Sequence, residues 1–194
     1  MGRAVRGIPM KSILTVGAAL LAGGAWAQMT PPANVASIWG GKGAKILGSG
    51  DVREGGGLSF DFARREPHFS FKSVPAQLVY EGYVDYTDSV GSIHPRESTY
   101  ATGGLAFARW WVRPLRFVSF YADLGWGFQV ATQPTYDLPS DINSTPMLDL
   151  GTALPMGKSQ QLLLGFRFLH ISNAGFVTPN RGQDEFFFTA GIGW

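Results

Sequence analysis

"VSFYADLGWGFQV", Val118 to Val130, alternates residue by residue. Val118, Phe120, Leu124, Trp126 and Phe128 share one side of an extended strand, while Ser119, Asp123, Gly125 and Gln129 share the other. Successive strand side chains point to opposite faces, so this strand has one apolar and one polar face. It is also longer than the roughly 10 residues that a tilted strand needs to cross a bilayer. Which of its two faces is turned inward decides the fold.

The neighbouring segments repeat the pattern. Eight candidate strands run over 35–43, 56–65, 75–87, 99–111, 115–130, 145–155, 159–171 and 183–194. Leu58, Phe60 and Phe62 alternate with Ser59, Asp61 and Ala63; Leu78, Tyr80, Val84 and Tyr86 alternate with Gln77, Glu81 and Asp85; Leu148, Leu150 and Leu154 alternate with Asp149 and Gly151. The first and fourth candidates are ambiguous, and Arg109 disturbs the fourth. No helical periodicity stands out.

The polar faces carry Asp61, Glu81, Asp85, Asp123, Asp149, Arg167 and Glu185 together with many of the 26 glycines. Small and charged side chains suit the narrow, filled interior of a small barrel better than a solvent face. The apolar even-numbered faces are then turned to lipid. The fold class expected is all-β: an eight-stranded antiparallel transmembrane β-barrel. Connections near 112–114 and 155–158 are tight, whereas those near 87–98, 131–144 and 172–182 are long and polar, which matches the short inner turns and long external loops of such barrels. The segment 66–74 is a longer turn than that rule prefers. Glu185 and Arg167, both on inward faces, are expected to pair, because buried charges need partners.

The start of the chain sets its compartment. Arg3, Arg6 and Lys11 precede "ILTVGAALLAGGA", and "AWA" (Ala25–Ala27) places small residues where a signal peptidase reads. Residues 1–27 read as a signal peptide, 28–34 as a disordered lead-in and 35–194 as the barrel. Removing that leader turns the formal charge of +2 into −1, which leaves no basic surface to argue for nucleic acid. The chain has no Cys, so disulfides cannot stabilise it outside the cytoplasm. Asp141 and Asn143 in "SDINS" are spaced too loosely for a calcium loop, and His68 and His94 lie in connections without a matching Ser and acid. No metal or cofactor is expected.

The seventh strand holds the chemistry. Leu162, Leu164, Phe166 and Phe168 lead on one face to His170 and Ser172 in "RFLHISNAG" (Arg167–Gly175). Residues i and i+2 project from one face with Cα atoms ~6–7 Å apart, so a histidine ring can approach the serine hydroxyl. A serine nucleophile needs a base, and the base needs an orienting acceptor. In "GQDEFFFTAGIGW" (Gly182–Trp194), Asp184 falls on the outward face shared with His170, while Glu185 falls inward.

"HISNAG" (His170–Gly175) followed by "PNRGQD" (Pro179–Asp184) resembles the signature of the PagL-type lipid A 3-O-deacylases, eight-stranded outer-membrane barrels. The resemblance implies His170 as base, Ser172 as nucleophile, Asp184 as the orienting acid, Asn173 as an oxyanion-hole side chain and Gly175 as a backbone contributor. It also implies outer-membrane location, lipid A in lipopolysaccharide as substrate, and release of the ester-linked 3-hydroxyacyl chain. This chain departs from the family pattern at Ile171, where an aromatic is common, at Arg181 within the turn, and at Asp184, where the acid is usually Glu. The competing readings are a non-enzymatic barrel serving envelope integrity or adhesion, and an esterase acting on phospholipid.

Overall fold

The computed structural model describes residues 30–47, 50–63, 69–71, 74–90, 96–115 and 117–194. The expected signal peptide, His68 and His94 lie outside those residues. Ten strands follow one another: β1 (Asn34–Gly43), β2 (Arg53–Ala63), β3 (Phe69–Phe71), β4 (Val74–Ser89), β5 (Ser98–Leu115), β6 (Val118–Ala131), β7 (Ile142–Ser144), β8 (Met147–Met156), β9 (Gln160–Ile171) and β10 (Gln183–Gly193). Eight of them close a barrel in the order β1-β2-β4-β5-β6-β8-β9-β10, with β10 returning to β1; every pairing is antiparallel. The two short strands are additions at the rims, β3 on β4 and β7 on β6.

The alternation is resolved with even-numbered residues outward. Ile38, Leu58, Phe60, Tyr80, Val84, Leu124, Trp126, Phe128, Leu150, Leu164, Phe166 and Phe188 are exposed on the wall, whereas Asp61, Glu81, Asp123, Asp149 and Arg167 are buried within. An inside-out polarity of this kind is unfavourable in water and favourable in lipid, where the wall meets apolar chains.

Closure lets the interior charges meet across the barrel. Arg109 donates from Nε to Asp123 Oδ1 at 2.9 Å and from Nη2 to Asp61 at 3.1 Å. Arg167 makes two parallel 2.7 Å bonds to Glu81 and reaches Asp149 at 3.3 Å. Arg109 thus fits its strand as an interior residue, which accounts for the broken pattern there. The expected Glu185–Arg167 pair does not form. Arg167 stands opposite Phe187 on β10, while Glu185 stands opposite Leu169, one inward row nearer the long-loop rim. Both Glu185 carboxylate oxygens are buried without a hydrogen-bond partner. Interior glycines make room for large rings: a Cβ at Gly103 would lie 2.3 Å from the Tyr83 ring, and one at Gly151 2.3 Å from the Tyr121 ring.

Three connections differ from expectation. The tight turn placed at 112–114 belongs to β5, which continues to Leu115 with a register shift between Val112 and Leu115. Part of the long 66–74 segment forms β3, a short hairpin with β4. Within the 131–144 segment, Ile142–Ser144 forms β7. Of the lead-in, Thr30 accepts a 2.6 Å bond from Gln161 Nε2 and Ala33 donates to Trp194 O at 3.0 Å, so these residues cap the short-turn rim. The long connections gather at the opposite rim, where β9 ends.

Candidate active site

β9 delivers His170 to the long-loop rim, and β10 places Asp184 directly opposite it in the register. Paired residues in an antiparallel ladder share a face, so both side chains project from the outward side. Asp184 Oδ1 lies 2.7 Å from His170 Nδ1. The Asp184 side chain is fully buried, and that of His170 is 19% exposed. An ionised carboxylate can only accept, so a neutral His170 in this bond carries its proton on Nδ1 and keeps the lone pair on Nε2. A neutral imidazole held in this tautomer is a general base.

The other Asp184 oxygen is also occupied. Oδ2 accepts from the backbone N–H of Ile46 at 3.0 Å and of Leu47 at 2.6 Å, in the connection after β1. These two donors decide which oxygen faces the histidine. Sequence reasoning missed them, since backbone amides leave no signature in residue identity. Gly182 also shapes the site: a Cβ there would lie 2.8 Å from His170 Cε1.

Ser172 lies just past the end of β9 and forms an isolated antiparallel bridge with Ser144. Ser144 N donates to Ser172 O at 2.6 Å, Ser172 N donates to Ser144 O at 3.0 Å, and the two hydroxyls are 3.3 Å apart. The structure therefore joins His170 to Asp184 but not, by any hydrogen bond, Ser172 to His170. Ser144 is a further residue with no signal in the sequence; it became a neighbour only because β7 folds back beside β9.

Asn173 and Gly175 belong to a tight turn. Phe176 N donates to Asn173 O at 3.1 Å across Ala174 (φ 54°) and Gly175 (φ 82°), the two positive φ angles of a type I′ turn. Asn173 Oδ1 accepts from Gly175 N at 2.9 Å, its Nδ2 donates to Val177 O at 2.8 Å, and its own N–H donates to Asn180 Oδ1 at 3.1 Å. One Nδ2 hydrogen remains for another acceptor. The Gly175 amide is spent inside the turn in this conformation. Asp137, in the connection before β7, links the loops above: it accepts from Gly50 N at 3.2 Å and Asp51 N at 2.7 Å. Burial raises its carboxyl above the usual carboxylate range. Among the described residues no cluster of His, Cys, Asp and Glu could hold a metal ion, and Asp141 is exposed.

A family model described as lipid A 3-O-deacylase (PagL) matches residues 54–193. The chain belongs to this family. Its members are enzymes that hydrolyse an ester bond of lipid A. The matched span contains His170, Ser172, Asn173, Gly175 and Asp184, but begins after Ile46 and Leu47. A solved structure described as the outer membrane enzyme PagL superposes with a TM-score of 0.57 at 14% identity, over 82% of this chain and 98% of that one. At that identity the likeness shows the barrel fold. No curated protein matches the chain.

Proposed function

We infer that this barrel is an outer-membrane serine esterase that removes the 3-hydroxyacyl chain from the 3-position of lipid A, with Ser172, His170 and Asp184 as nucleophile, base and orienting acid. The observation that carries the reading is the 2.7 Å bond between His170 Nδ1 and a buried Asp184, set where the apolar wall ends and two residues before a serine. Family membership supports it.

The reaction needs Ser172 Oγ to leave Ser144 and approach His170 Nε2. As Oγ attacks the acyl carbonyl, Nε2 takes its proton, and Asp184 stabilises the imidazolium without being protonated. The negative charge developing on the carbonyl oxygen is met by the free Nδ2 hydrogen of Asn173 and by backbone amides of the turn, Gly175 among them once it releases Asn173 Oδ1. Collapse expels the sugar 3-hydroxyl, which recovers the proton from Nε2. Water, deprotonated by the same nitrogen, then cleaves the acyl-serine and frees the fatty acid. A site on the lipid-facing wall suits a substrate that stays in the outer leaflet, reached after export by the leader over residues 1–27.

Mass spectrometry of lipid A from cells with and without the protein tests the reading. The expected result is loss of one hydroxyacyl chain, abolished by Ser172→Ala in a barrel that still folds. Wild-type activity in Ser172→Ala would overturn the nucleophile, and loss of acyl chains from phospholipid alone would favour the phospholipase reading.

A further inference from the structure

Ile46 and Leu47 are 58% and 59% exposed, although their amides grip a fully buried carboxylate. The backbone of this segment therefore sits against the acid while its apolar side chains stay largely exposed. On the other side of the pair, the connection after β9 exposes Phe176 at 88% and Val177 at 40%. Below it, the next outward row is Phe168 and Phe186, paired in the register and with rings 5.0 Å apart. The His170–Asp184 pair is thus flanked by exposed apolar groups in two connections and by the Phe168–Phe186 row of the wall. Polar loops above a membrane have no reason to expose four large apolar side chains in the two connections that flank this pair.

We propose that Ile46 and Leu47 form an acyl-contact element of the substrate site, whose side chains bind the fatty-acyl chain while its amides hold Asp184 towards His170. This rests on the esterase reading above and adds a segment outside the matched family span. The occupant is an acyl chain because the groups to be covered are wholly apolar, lie at the end of the lipid-facing wall and belong to the segment that holds the pair that would cleave the ester. The arrangement also couples recognition to chemistry: a chain seated on Ile46 and Leu47 restrains the segment whose N–H groups set the orientation of the acid.

Kinetics on lipid A in detergent micelles, per heat-modifiable folded protein, separate the two roles. Ile46→Ser/Leu47→Ser keeps both amides and removes the apolar contact, so KM should rise about tenfold or more while kcat changes far less. Leu47→Pro keeps an apolar side chain and removes the shorter amide bond, so kcat should fall about tenfold or more with a smaller change in KM. A wild-type KM in the serine pair, or a loss in kcat alone, overturns the acyl contact; a wild-type kcat in Leu47→Pro overturns the clamp. If the serine pair does not fold, the alanine pair replaces it. Activity surviving in Ser172→Ala would instead sink Ser172 as nucleophile and leave these kinetics to be explained by another site.

Discussion

Gly182 and Gly157 both adopt a positive φ, 71° and 82°, but only one of them touches the candidate active site. An alanine at either position must hold a left-handed backbone, which costs ~1–2 kcal/mol for a residue with a Cβ. At Gly157 the new methyl would meet nothing within 4 Å. At Gly182 it would stand 2.8 Å from His170 Cε1, 3.2 Å from Ile171 O and 3.3 Å from His170 Nε2. Ordinary carbon contacts are ~3.5–4.0 Å, so the imidazole must move by about an ångström or tilt. The side chain can yield, so the folding penalty should stay near the strain alone. The chemistry cannot yield equally, because a misplacement of ~1 Å can cost on the order of 10²-fold in rate. Gly182→Ala and Gly157→Ala should therefore lose similar stability in thermal unfolding in one detergent. Deacylation per folded molecule should fall about a hundredfold in the first and stay near wild type in the second. Equal activities would refute the packing of Gly182 on the base, and equal losses would mean that strain alone, not contact with the ring, sets the rate.

Three further outcomes follow from the same geometry. Asp184→Asn must keep its carbonyl oxygen towards the Ile46 and Leu47 amides, so its NH2 faces His170 Nδ1 and forces the other tautomer; activity should drop by on the order of 10⁴ with the barrel intact, measured by lipid A mass spectrometry on folded protein. Glu185→Gln should leave turnover of the folded fraction unchanged and raise or preserve the unfolding temperature, because it removes a buried carboxylate that has no partner; a clear loss of stability would reveal a hidden one. Arg109→Met should destabilise the barrel by roughly 3–5 kcal/mol in denaturant titrations, since Asp123 and Asp61 would be left buried and unpaired, and a neutral effect would show that water reaches that layer.

Period two was legible in the chain and carried far. It is a property of the strand backbone, so alternate residues share a face whatever they pair with. From it came the barrel, its apolar wall, the inward place of Asp61, Glu81, Asp123 and Asp149, and the choice of Asp184 over Glu185 as the neighbour of His170. Turn positions were less legible, because β5 passes through Arg113-Pro114 with a register shift where residue types suggested a turn. What only the closed barrel decided are contacts between strands far apart in the chain. Arg167 meets Glu81 rather than Glu185, 86 residues away instead of 18, because stagger and closure set which rows face each other across the lumen. Asp184 is held by amides 137 and 138 residues before it, Ser172 is bridged by Ser144, and Gly182 is pressed against the base. Parity is local and survives any register, whereas these partners depend on the register itself, which no single strand contains.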